Sequence, residues 1–281
     1  MYKRQPTSAI TFPADGLSYN SVDTITGTAA DPASAGVVLV EVSIQDVTTG
    51  SFWDGTAWVA GEQWLAATGT VAWELNDNLP PWANGQSYTI RSRASDGAGN
   101  VEVPGPGVTF SFDNAAPGTP IDLAATPSDW TNVDNFDIHW TNPPDPAGIA
   151  GAWYKLDDPP AHAADGTFVA GADLTSISGL NVGEDGAHDL YLWLQDGLGN
   201  ADHTQAGVVT LYLDTTPPGA PQELTADPAD WTNVDLFSVR WTNPVELSGV
   251  AGAWYKLGAV SYTHLRAHET RHDLVCRLLL E

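Results

Sequence analysis

Sulfur is almost missing from this sequence. One cysteine, Cys276, and one methionine, Met1, are all it holds, so no disulfide framework can staple the chain and any core must be aliphatic and aromatic. Basic residues are scarce too: 10 Lys and Arg face 35 Asp and Glu, a formal charge of -25. A field of that sign repels phosphate backbones and anionic lipid surfaces, which sets nucleic acid aside as a partner. No apolar run approaches the length of about 18 residues that marks a membrane-spanning helix, so no membrane insertion is expected. Helical periodicity is also lacking. Catalytic signatures are equally thin: His139, His162, His188 and His203 are scattered, and neither a G-x-S-x-G elbow nor a glycine-rich phosphate loop occurs. The reading is a chain that is not an enzyme.

What is there is a repeat. Trp130-Thr131-Asn132-Val133-Asp134, Trp140-Thr141-Asn142-Pro143 and Ala150 to Leu156 all return as Trp231 to Asp235, Trp241 to Pro244 and Ala251 to Leu257, at a constant offset of 101 residues. A unit that long is a whole domain rather than a solenoid turn, so the sequence reads as an array of similar modules. Short runs of Val, Ile, Thr, Trp and Tyr separated by Gly, Pro, Asn and Asp clusters make the fold class all-β. Strands are expected over Ser8–Phe12, Asp23–Thr28, Val37–Asp46, Thr70–Leu75, Ser87–Ala94 and Val108–Asp113, with an aromatic hairpin over Ser51–Val59 turning at Trp53-Asp54-Gly55-Thr56. About seven strands in about 110 residues is the count of an immunoglobulin-like sandwich.

Phe136 to Pro144 followed by Ile149 to Leu156 resembles the second and third strands of a fibronectin type III module, whose Trp fills the core. Leu180 to Asn200, ending in Asp196-Gly197-Leu198-Gly199-Asn200, resembles its penultimate strand and hairpin turn. Tyr88 resembles the tyrosine-corner residue of such folds, and His188 departs from the family by standing where Tyr is expected. The resemblance implies tandem immunoglobulin-like and fibronectin type III-like β-sandwiches of the kind found in large bacterial surface or secreted proteins. The expected domains are residues 6–115, residues 116–217 and a truncated repeat over 218–258 whose strands lack partners. Residues 1–5 and 259–281 resemble translated sequencing adapter, the tail having good helix formers over Leu265–Leu280. His268-Glu269-Thr270-Arg271-His272 in that tail spells a zinc-protease motif, but its adapter-like context and the lack of a third ligand downstream argue against such a site.

Two groups of residues carry chemistry. Asp96-Gly97-Ala98-Gly99-Asn100 and Asp196-Gly197-Leu198-Gly199-Asn200 share one pattern, which either offers hard oxygen ligands to calcium or is a hairpin turn whose Asp and Asn cap the backbone; turn chemistry favours the second. Sandwich topology nevertheless places Asp145, Asp196, Asn200 and Asp202 near linker residues Asp113 and Asn114, a calcium-binding constellation at a module joint. The second group is Trp153, Tyr191 and Trp193, expected to face solvent as a ligand platform for sugar rings or a partner protein, or else to form a cross-strand aromatic cluster. The expected role is that of non-catalytic spacer or adhesion modules from a bacterial extracellular or cell-surface protein, with a protein or glycan as partner. The rival is a carbohydrate-binding accessory region of a secreted hydrolase.

Overall fold

Strict alternation decides the longest strands. Between Gly85 and Gly97 the residues Tyr88, Ile90, Ser92, Ala94 and Asp96 are buried while Thr89, Arg91 and Arg93 stand on the other face half-exposed, the period-two signature of a strand with one face on a core. The structure is a computed structural model; it describes residues 5–32, 35–230, 232–258 and 275–277. The chain divides into two compact units. One comprises residues 1–122, 140–175 and 191–207, the other residues 123–139, 176–190 and 208–281. Strands of the segment expected as the second module belong to both units.

The first unit begins with β1 (Thr7–Phe12), β2 (Ser18–Tyr19), β3 (Ile25–Ala30), β4 (Val37–Asp46), β5 (Phe52–Trp53), β6 (Trp58–Val59), β7 (Leu65–Ala66), β8 (Thr68–Gly69), β9 (Ala72–Leu75), β10 (Gln86–Asp96) and β11 (Val108–Phe112). They form two sheets, β1-β3-β9-β8 and β2-β11-β10-β4-β5-β6, with β7 added on β4. β10 runs antiparallel to β4 from Tyr88↔Asp46 to Ser95↔Leu39, and β2 lies parallel to β11. Ile25, Trp73 and Leu75 from one sheet meet Val40, Val42, Ile44, Tyr88, Ile90, Phe110 and Phe112 from the other. Each such side chain contributes about 1.5–3 kcal/mol by leaving water. The Trp73 ring lies so close over Gly27 that a Cβ there would sit 2.0 Å from Cζ2, so only glycine fits beneath it. Tyr88 is 1% exposed, and its hydroxyl accepts a 2.9 Å hydrogen bond from the Ala83 amide, the tyrosine corner the sequence implied. The observed strands β1, β4 and β10 match the expected ones closely, whereas β2, β7 and β8, two residues each, carry no run long enough to read from sequence.

Next along the chain come β12 (Ile121–Thr126), β13 (Phe136–Thr141), β14 (Ile149–Leu156), β15 (Thr167–Ala170), β16 (Ser176–Leu180), β17 (Gly186–Asp196) and β18 (Gly207–Leu213). Their sheets have the orders β12-β13-β16 and β15-β14-β17-β18. Within the first unit β14 pairs with β15 from Gly151↔Ala170 to Tyr154↔Thr167. Within the second unit β13 pairs with β16, and both carboxylate oxygens of Asp134 hold the amides of Val182 and Gly183. Thr131 bridges Leu213 in parallel and Trp130 packs on Tyr212 at 5.2 Å. His188 bonds the Glu184 carbonyl through Nε2 at 3.0 Å, a local tie made by an imidazole at the position where the resemblance implies a tyrosine.

The recurrent Trp-Thr-Asn motif has a local cause. The indole N–H of Trp140 donates to Asn142 Oδ1 at 2.8 Å, and Trp241 donates to Asn243 Oδ1 at 2.8 Å. The Asn two residues on therefore satisfies a polar atom that burial of the ring would otherwise strand. β19 (Gln222–Asp227) and β20 (Ser238–Thr242) pair with each other in the second unit, and every residue of both strands is exposed. Trp140 is 5% exposed and its counterpart Trp241 is 39% exposed. In the tail, β21 (Lys256–Gly258) pairs antiparallel with β22 (Val275–Arg277). That corrects the helical expectation at residues 275–277: propensity is a weak prior that strand pairing overrides. The His268–His272 motif and the rest of residues 259–274 and 278–281 lie outside the described residues. Among the described residues no helix is long and apolar enough to cross a membrane.

Candidate metal centre

Three carboxylates from distant parts of the sequence converge in the first unit. Asp113 follows β11 and opens the linker, Asp145 sits in the proline-rich loop between β13 and β14, and Asp196 ends β17. One oxygen from each lies within 4.8 Å of the other two, and among the described residues no other group of three His, Cys, Asp or Glu side chains gathers so tightly. Asp113 is 2% exposed, Asp196 is 0% exposed and Asp145 is half-buried. Two unit charges at that separation repel by about 3.5 kcal/mol at an effective dielectric of ~20, before solvent screening. Three bases of the same unit are committed elsewhere: Arg91 pairs with Glu62, Arg93 with Glu41 and Lys155 with Asp165.

The three acids differ in how they are satisfied. Asp196 is held by the hairpin turn: Oδ1 accepts from the amides of Leu198 and Asn200, and Oδ2 accepts from Asn200 Nδ2 at 2.7 Å. Asp145 Oδ1 accepts from the Ala147 amide at 3.0 Å. Burial pushes the Asp145 carboxyl above its ordinary range; the Ala147 amide opposes the rise, and the charges of Asp113 and Asp196 add to it. Asp113 Oδ1 accepts a 3.3 Å bond from the Ala115 amide, while its Oδ2 is buried without any hydrogen-bond partner. An ionised oxygen in that state is expensive unless a cation meets it.

The remaining expected ligands are placed differently. Asn200 turns its Nδ2 toward Asp196 Oδ2 and the Asp113 carbonyl, and its Oδ1 accepts from Asn20 Nδ2, so it crosslinks the turn to the linker. Asp202 caps the short 3-10 helix His203–Gln205, with Oδ1 taking the amide and hydroxyl of Thr204. The Asp202-His203-Thr204 stretch is itself a capping signature that sequence reasoning passed over. A shallow cleft of about 750 Å³ lies along the same linker, lined by Asn114, Ala116, Gly118, Asp202 and Gln205 among others.

The aromatic platform requires correction. Trp193 does point to the outer face of β17, away from buried Leu192 and Leu194, but it is 0% exposed. The loop 157–166 closes over it: Trp193 Nε1 donates to the Ala163 carbonyl at 2.9 Å, and Gly166 comes so near that a Cβ would lie 2.8 Å from the ring. Asp165 anchors that loop by accepting from Lys155 Nζ and the Ala161 amide. Trp153 stacks on Trp193 at 6.2 Å with 9° between planes, touches Phe168 at 4.9 Å and donates to Gln195 Oε1. Trp153 and Tyr191 are half-buried. The cross-strand cluster is the arrangement the structure contains. Of the histidines, His139 meets Thr126 Oγ1 and His203 approaches Asp202 at 4.0 Å.

No protein-family model matches the chain, and no curated protein matches it. Among solved structures, fibronectin(III)-like modules of Clostridium thermocellum CbhA align at 12% identity and a TM-score of 0.35, covering 74% of this chain and 94% of that one. Chicken CNTN1 FN1-FN3 domains align at 11% identity and a TM-score of 0.39, covering 73% and 66%. Titin domains A168-A170 align at 10% identity and a TM-score of 0.44, covering 75% and 67%.

Proposed function

We propose that the chain consists of non-catalytic modules, serving as spacer or adhesion elements of a bacterial extracellular or cell-surface protein. The observation that carries this reading is the recurrence of the linker hardware itself. Asn84 Oδ1 accepts from the amides of Asn114 and Ala115, and Asp185 Oδ1 accepts from the amide of Thr215 at the next linker. Asp113 Oδ1 caps Ala115, and Asp214 Oδ1 caps Thr216, both at 3.3 Å. What is repeated is the means of joining modules, as an array that holds other parts at a distance requires. Covering of Trp193 by the loop 157–166 weighs against the carbohydrate-binding accessory, because stacking on a sugar needs a free aromatic face.

Array binding tests the choice. The full chain is expected to show no saturable binding to glycans and no turnover of polysaccharide substrates, and its sandwich over residues 7–112 should unfold under force as one step lengthening the chain by roughly 35 nm. Saturable binding to a surface protein would select adhesion over spacing. Glycan binding lost in Trp153→Ala would establish the rival.

A further inference from the structure

We propose that Asp113, Asp145 and Asp196 form a calcium site that fastens the linker following β11 to the β13–β14 loop and to the end of β17. This rests on side-chain geometry and holds whether the modules act as spacers or as adhesins.

Two independent observations meet at one point. The first is the convergence of three carboxylate oxygens within 4.8 Å of one another, two of them on buried residues. Three oxygens no more than 4.8 Å apart lie within about 2.8 Å of a common point, so a shift of a few tenths of an ångström brings all three to the roughly 2.3–2.6 Å at which calcium binds oxygen. The second is Asp113 Oδ2, buried and without a partner on a residue 2% exposed whose carboxylate faces the other two. The donor set is purely carboxylate, with no His or Cys in the group. Hard oxygen donors suit calcium better than zinc, whose sites draw on His and Cys.

The chain contains its own controls. Asp96 makes the same turn as Asp196, accepting from the amides of Ala98 and Asn100 and from Asn100 Nδ2. It is 3% exposed and belongs to no three-carboxylate cluster among the described residues, so the turn does not need Asp113 and Asp145 beside it. At the next linker, Asp214 and Glu246 occupy the positions of Asp113 and Asp145 101 residues on. There, however, Asp214 Oδ2 accepts from the Ser248 amide at 3.1 Å, whereas Asp113 Oδ2 is left for another partner.

The experiment uses the full chain and calcium chloride, read by calorimetric titration and by thermal melts against EDTA and against sodium chloride of equal ionic strength. Asp145→Asn is the variant of choice, because Asp145 is half-buried and its replacement removes a charge without opening a core. Calcium should bind with a Kd of about 0.1–1 mM, the range of extracellular modules, and raise the melting temperature. Asp145→Asn should weaken binding at least ten-fold while melting higher than the parent in EDTA, because it relieves repulsion. Asp96→Asn should leave the calcium response intact. Equal melts in calcium and EDTA, a shift that sodium chloride reproduces, or an undiminished calcium response in Asp145→Asn would each overturn the proposal.

Discussion

Replacing Trp193 separates a ligand platform from a structural element. Its indole is 0% exposed, stacks on Trp153 at 6.2 Å and donates to the Ala163 carbonyl. Trp193→Ala removes a fully buried aromatic side chain, a change that costs about 3–5 kcal/mol. At roughly 2–4 °C per kcal/mol for a unit of about 175 residues, the melting temperature should fall by at least ~6 °C. Trp193→Phe keeps an aromatic ring but deletes the donor and leaves the half-buried Ala163 carbonyl without it, for about 0.5–1.5 kcal/mol. Scanning calorimetry gives both numbers, and limited proteolysis reports the loop: cleavage within residues 157–166 should accelerate in Trp193→Ala, since Ala163 loses its anchor. A Trp193→Ala protein melting within a degree or two of the parent, with the loop still protected, would refute the claim that this ring is the loop's support.

Trp140→Ala should cost about 3–5 kcal/mol, while Trp241→Ala, at a side chain 39% exposed, should cost under ~1 kcal/mol; urea melts compare the two. Asp185 accepts from the hydroxyl of Thr216 and from the amide and hydroxyl of Thr215, which hold its carboxyl below the ordinary range. A depressed folded value means the stabilisation is present above the unfolded carboxylate range and is lost as pH falls through the folded value. The melting-temperature gap between parent and Asp185→Asn should therefore be open at pH 6 and close toward pH 2.5.

Local rules reached far into this fold, and their reach explains where they stopped. The hairpin at Ser51–Val59 was readable because its turn is self-contained: Asp54 Oδ1 takes the amides of Thr56 and Ala57, and Phe52↔Val59 and Trp53↔Trp58 pair across it. The strand β10 was readable from its alternation alone. Period two also told which way Trp193 points, yet pointing outward is not the same as being exposed. Its cover comes from a loop whose path is set by Lys155, Asp165 and the Ala163 carbonyl, contacts with no periodic signature. The carboxylate centre divides in the same way. Sandwich topology brought Asp113, Asp145 and Asp196 to one end, but the orientation of the Asn200 amide and the capping role of Asp202 depend on side-chain torsions that sequence spacing does not encode.

The Trp-Asn clasp carries a hazard as well as a benefit. Because it closes within three residues, it forms as readily in exposed β20 as in β13, and the two strands, Phe136-Asp137-Ile138-His139-Trp140-Thr141 and Phe237-Ser238-Val239-Arg240-Trp241-Thr242, present the same aromatic and β-branched code. β16 thus meets two sequence-equivalent competitors on one chain while it folds. Strand exchange between neighbouring repeats is the characteristic misfolding route of near-identical tandem modules. Order of emergence from the ribosome favours the correct partner, since β13 and β16 are both complete before β20 is made.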